Sequence, residues 1–188
     1  MQRSMTLAGL IALSLGVWLA PTAVAKATKQ AGLSDQTFVQ KASSGGLAEV
    51  RAGQLATERA ASAEVKQFGQ QMVTDHTKAN QELTTLAQAK NLPVTTELDQ
   101  KHQAMAEKLA TLQGAAFDRA YLAGQVADHE QTVRLFTTEA QEGHDAELKA
   151  FAAKTLPTLQ EHLRMVRALA PKQSGERAQQ HSERAKKP

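Results

Sequence analysis

Between residues 34 and 170 the apolar side chains recur at alternating three- and four-residue steps, the spacing of a helix with one face on a core, and nowhere do they alternate with period two over the length of a strand. Four such stripes follow one another. The first is Phe38, Ala42, Gly45, Ala52, Ala56 and Ala60, and the second is Val65, Phe68, Met72, Ala79, Leu83 and Leu86. The third is Leu122, Val126, Val133 and Phe136, with Phe117, Tyr121 and Leu135 adjoining it; the fourth is Leu148, Phe151, Leu159, Val166 and Leu169. Start and stop signals bound them. Ser34 and Ser62 are N-caps, each with an acid in the turn that follows, and Leu33 and Phe38 stand at the spacing of a hydrophobic staple. The spacing predicts helices from Ser34 to about Ala61, from Ser62 to about Lys90, and from about Phe117 to Glu142. A last helix is capped by Asp145 and runs to Ala170. A shorter charged helix is expected from Thr96 to Leu112, closed by Gly114. Pro157 is expected to kink or briefly break the last helix and Pro171 to end it.

The chain also repeats itself. Phe38 precedes Glu49 by eleven residues, as Phe117 precedes Asp128; Glu64-Val65-Lys66-Gln67-Phe68 echoes Glu147-Leu148-Lys149-Ala150-Phe151. Shared composition of Ala-rich helices is the competing account of that likeness. Two long helical hairpins joined by a helical crossover predict an all-α, ferritin-like four-helix bundle over residues 34–170, since an up-down-up-down bundle needs only a short central link.

Composition sharpens this. Aromatics are 4% of the 188 residues, which argues against a β-barrel or sandwich, and the absence of Cys excludes disulfides, thiolate metal sites and a cysteine nucleophile. At the N-terminus, Arg3 precedes an uncharged run from Met5 to Ala20, and Ala23-Val24-Ala25 ends in an A-x-A pattern. That is the layout of a cleavable signal peptide over residues 1–25, which predicts a periplasmic or secreted protein with no transmembrane span after cleavage; an uncleaved anchor is the competing reading. Residues 26–33 read as a linker. The net charge of +3 is concentrated in residues 171–188, where five Lys and Arg face two Glu. This tail is expected to be disordered, with weak envelope association as its interaction reading. The near-neutral remainder gives no footprint for nucleic acid.

Each predicted bundle helix breaks its apolar stripe with an ionisable residue near its middle: Glu49, His76, His129 with Asp128 on the adjoining stripe, and His162. Counting from the turns sets their heights. Glu49 is 13 residues before Ser62 and His76 is 14 after it, which places them within about 2 Å of one level. His129 is 15 before His144 and His162 is 18 after it, an offset of about 4–5 Å. Buried charges are costly unless paired or metal-bound, so Glu49, His76, Asp128, His129 and His162 are candidate ligands for a divalent transition metal (Fe, Mn, Zn or Cu). Asp75 and Glu161 are candidate acceptors for imidazole N–H groups, and Tyr121 is a candidate partner beside the layer. A metal-free Glu–His network that fixes helix register would satisfy the same groups. His102, His144 and His181 read as exposed. No G-x-S-x-G, P-loop, dinucleotide fingerprint or H-E-x-x-H occurs.

The segments FVQKASSGGLAEVRAGQLA, VKQFGQQMVTDHTKANQEL, FDRAYLAGQVADHEQTVRLF and LPTLQEHL resemble, in order and over about residues 35–170, the secreted bacterial family known as domain of unknown function 4142. The resemblance implies a ferritin-like periplasmic domain and no established activity. Members are often labelled predicted outer membrane proteins, although no barrel strands occur here. The sequence departs from di-iron ferritin-like proteins, whose motif histidines follow a Glu by three residues: Val73 and Leu159 stand there. The functional expectation is therefore a secreted helical protein with a mid-bundle metal site, a metal-dependent oxidase or peroxidase being its enzymatic form. The alternative is a non-catalytic envelope or stress-related binding protein with a metal-free polar layer.

Overall fold

The structure is a computed structural model that describes residues 34–185, with side chains to residue 170. The signal peptide and linker expected over residues 1–33 lie outside the described residues, as do the side chains of the basic tail. The described residues form five helices: α1 (Asp35–Arg59), α2 (Ala63–Ala89), α3 (Gln100–Ala110), α4 (Gly114–Glu142) and α5 (Ala146–Ala185). None is long and apolar enough to cross a membrane.

The caps form where the sequence put them. Ser34 Oγ accepts the amide of Thr37 and Ser62 Oγ that of Val65, while Asp145 Oδ1 accepts two amides, those of Glu147 and Leu148. Each satisfies donors that a helix start leaves without a partner. The crossover differs. Its helix starts at Gln100, because Asp99 Oδ1 accepts the amide of His102 and so caps it. The residues before it are pinned to α1: Ser43 Oγ accepts the Thr95 amide and Ser44 Oγ the Asp99 amide. Gly114 opens α4 instead of closing α3, and its φ of +61° is the left-handed conformation that glycine adopts without penalty.

The last helix departs from expectation at its end, running past Pro171 to Ala185, and it is unbroken at Pro157. Pro157 removes the hydrogen bond to the carbonyl of Ala153, and both residues lie on the exposed face, where the freed oxygen is open to solvent. Arg167, four residues before Pro171, is exposed as well, and the residues beyond are rich in helix formers.

Two pairs of hydrogen bonds set the topology. Asp118, near the start of α4, accepts the amides of Ala61 and Ser62 at 3.0 Å each, which fixes that start beside the end of α1. Asp35, at the start of α1, accepts the amide of His144, beyond the end of α4. Helix α4 therefore runs antiparallel to α1 and parallel to α2, as two hairpins with one long crossover require. The main contacts are α1 with α2 and α4 with α5; α1 also meets α4, α2 meets α5, and α3 lies on α1 and α4. This is the ferritin-like four-helix arrangement.

The core is divided in two. One cluster contains Phe38, Leu83, Phe136, Leu148, Phe151 and Leu159; the other contains Ala56, Phe68, Met72, Phe117, Tyr121 and Val166. Along every bundle helix, the polar layer falls between a residue of the first cluster and one of the second.

Candidate metal centre

Three imidazoles meet where the core divides. His76 comes from α2, His129 from α4 and His162 from α5, and their relative exposures are 6%, 1% and 1%. The ring centroids form a nearly equilateral triangle: 5.6 Å between His76 and His129, 5.4 Å between His76 and His162, and 5.5 Å between His129 and His162. One nitrogen of each ring lies within 4.8 Å of one on each of the others.

Hydrogen bonds orient two of the rings. His129 Nδ1 is 3.1 Å from the carbonyl oxygen of Gln125 and 3.5 Å from Glu49 Oε1. A carbonyl only accepts, so Nδ1 carries a proton, and in the neutral ring the lone pair is on Nε2. His162 Nε2 is 2.9 Å from Asp75 Oδ2, and donating there leaves Nδ1 with the lone pair. His129 Nε2, His162 Nδ1 and His76 Nε2 are all buried without a hydrogen-bond partner. The His76 pKa lies well below the usual imidazole value, chiefly through burial and then through His129 and His162. Burial also lowers the His162 pKa, against a partial upward pull from Asp75. Both rings are thus held neutral, the form in which imidazole binds metals.

The other sequence candidates are distributed around this triad. Glu49, on α1, is buried and receives a hydrogen bond from Gln125 Nε2 at 2.5 Å, while its other oxygen faces His129. Burial raises its pKa, against a downward pull from His129. It supports an imidazole and stands outside the three-nitrogen group. Asp75 acts across the bundle on His162, not on its chain neighbour His76. Asp128 is not in the group at all: Oδ1 lies 2.5 Å from Lys101 Nζ. Glu161 holds no imidazole and pairs with Arg164 on the exposed side of α5. The reason is common to both, since successive residues on a helix point about 100° apart and only one of each acid–His pair faces inward. Tyr121 is buried, stacked on Phe117, with its hydroxyl unpartnered. It shares a cavity of about 20 Å³ with Glu49 and Gln125, room for one water. His144 is exposed, whereas His102 is half-buried with Nδ1 2.9 Å from Asp99.

Three residues that matter here carry no signal in the sequence. Gln125 holds both Glu49 and His129, yet a glutamine on a helix reads as surface. Asp118 looks like any acid in a first turn. Glu139 is fully buried near the α4–α5 turn with both carboxyl oxygens unpartnered, and burial, then Asp35 and Asp145, push its pKa up to about 7.

The family model for "Domain of unknown function (DUF4142)" matches residues 20–169. The chain belongs to that family. No curated protein matches it. Among solved structures it is similar to a protein described as secreted, DUF305 from Streptomyces coelicolor, at 16% identity and a TM-score of 0.64, over 77% of this chain and 96% of that one. It is also similar to CopM in its Cu(II)-bound form, at 18% identity and a TM-score of 0.65, over 76% of this chain and 99% of that one. At such identities the likeness shows a shared fold.

Proposed function

We propose that this member of the family is a secreted or periplasmic metal-binding protein that holds a single transition-metal ion, copper foremost, on His76, His129 and His162. The observation that carries the reading is that each of three buried rings has a nitrogen without a partner, and that each ring offers a nitrogen within 4.8 Å of the other two. Leaving three polar atoms unpaired in a core is costly, and one ion satisfies all of them.

The dimensions agree with the chemistry. Imidazoles bound to one ion at about 2.0–2.1 Å have ring centroids about 5.2 Å apart at tetrahedral angles, and about 5.5 Å apart in a trigonal plane. The observed triangle has sides of 5.4–5.6 Å. Bound nitrogens lie about 3.3 Å apart, a closure that side-chain torsions supply. Asp75 and Glu49 back two of the rings, the carboxylate–histidine–metal arrangement that fixes tautomer and raises ligand basicity. An all-imidazole set favours Cu and Zn over Mn and Fe(II), and the absence of bridging carboxylates disfavours di-iron chemistry. The likeness to a protein that binds Cu(II) and the signal-like N-terminus support copper and an envelope location.

Metal content of the chain purified without an affinity tag tests the reading, after titration with Cu(II), Zn(II), Co(II), Fe(II) and Mn(II). The expected result is one Cu(II) per chain, bound most tightly of the five. His129→Ala and His162→Ala are expected to lose it, whereas Asp128→Asn and Glu161→Gln, with equal helicity, retain it. No uptake by the parent, or full retention by both histidine variants, overturns the proposal and leaves a structural polar core.

A further inference from the structure

We infer that the histidine triad is an open centre whose remaining coordination position faces a small apolar chamber, and that the chamber admits a neutral diatomic ligand. This rests on the metal-binding reading above and specifies what reaches the metal.

Three protein donors leave a four-coordinate ion one position short, and the structure offers no fourth. Among the described residues, the group that can hold an ion contains the three histidines alone. The nearby carboxylates are engaged, Glu49 by Gln125 and Asp75 by His162. What adjoins the triad instead is a cavity of about 40 Å³. His76 and His162 of the triad line it, His129 does not, and Leu83, Phe136, Phe151 and Leu159 are among the other lining residues.

Size and polarity define the ligand. A cavity that binds benzene measures about 150 Å³, so this one is too small for a ring or a sugar and suits two or three heavy atoms. Its walls are largely hydrocarbon, and Glu49 and Asp75 contribute carboxyl groups to the lining, with Lys41 the cation among them. An anion entering there loses its hydration and meets those acids, whereas an uncharged diatomic loses little. Structural metal sites are closed by their ligands, and a site that keeps a position open onto a dry, shaped space is one where exchangeable ligands bind. Carbon monoxide on Cu(I) is the probe of that geometry, because it binds the reduced ion without further reaction and reports by its C–O stretch.

The experiment loads the full chain with copper, reduces it anaerobically with dithionite, counts bound Cu(I), and titrates with carbon monoxide under infrared detection. One adduct per copper is expected, with a single narrow band. Ala79→Leu, which places a larger side chain on the cavity wall, is expected to keep its copper and bind carbon monoxide at least tenfold more weakly. Leu83→Ala enlarges the chamber and is expected to gain at least tenfold in affinity for ethyl isocyanide over the parent. Copper bound without a carbon monoxide adduct, or both variants matching the parent, overturns the open-chamber inference and leaves the metal site standing. Absence of bound copper removes the metal site itself, so the two failures read differently. Should Ala79→Leu not fold, Leu83→Ala decides alone.

Discussion

At the scale of single residues, the distinction that matters is between side chains that bind and side chains that aim. Asp75 holds His162 by Nε2 at 2.9 Å, and by doing so it leaves Nδ1 free to face the other rings. Asp75→Asn keeps the shape and removes the charge that supports the imidazole. Metal affinity is expected to fall about 10–100-fold, with the metal-to-chain ratio at saturation unchanged, as measured by competition with a chelator. Glu139 poses a different question, being a carboxyl buried without a partner. Its folded-state pKa, about 7, lies above the ordinary value of 4.5. The folded chain therefore holds the proton more tightly than the unfolded one, and the cost to stability grows as pH rises from 4.5 to about 7 and is complete above that. Glu139→Gln is expected to be more stable than the parent at pH 8, by about 1–3 kcal/mol, and no more stable at pH 4; denaturant titration at both values checks it.

At the scale of elements, the hairpin α1–α2 depends on how closely two helices approach. A Cβ on Gly53 would lie 2.7 Å from the carbonyl oxygen of Gly69, and one on Gly69 2.7 Å from the Ala56 Cβ. Both contacts are backbone or short side chain, with no flexible end to move aside. Gly53→Ala is expected to destabilise by about 1–3 kcal/mol despite the better helix propensity of alanine. Gly45 has nothing within 4 Å of its would-be Cβ, and Gly45→Ala is expected to stabilise by about 0.5–1 kcal/mol. Thermal melts of the two variants are thus expected to move in opposite directions. The α1–α2 turn depends on a distant element too, since Asp118 satisfies the amides of Ala61 and Ser62 from α4. One aspartate thereby fixes both a turn and the register of the second hairpin on the first.

For the whole molecule, protons are linked to folding, and the proposed metal site would tie metal to both. His76 and His162 have lowered pKa values in the fold, so the unfolded chain binds more protons as pH drops below about 6.5. Stability of the metal-free protein is expected to fall as pH falls through that value, the opposite direction to the Glu139 effect. If the proposed copper site holds, bound copper is expected to reverse the loss, adding about 2.7 kcal/mol when free ion exceeds Kd a hundredfold. Melting curves at pH 5.5 and 7.5, with and without copper, are expected to show the larger metal-induced rise in Tm at pH 7.5, where protons compete least.

The chain order of hydrophobic and polar positions determined the helices, their caps at Ser34, Ser62 and Asp145, and the long crossover between two hairpins. These are local matters: a stripe at three- and four-residue steps buries one face wherever its partner lies, and a cap bonds its own first turn. The same pattern placed an ionisable layer at mid-bundle, because each stripe is broken at a similar count from its turn. Only the tertiary structure decided what that layer is. Which member of Asp128-His129 or Glu161-His162 turns inward depends on the rotation of each helix, and Ala-rich faces leave that rotation open in sequence. The joining of Asp75 to His162, of Gln125 to Glu49, and of three imidazoles into one triangle depends on which helices face one another. That is settled by core packing between residues far apart in the chain, which no local spacing encodes.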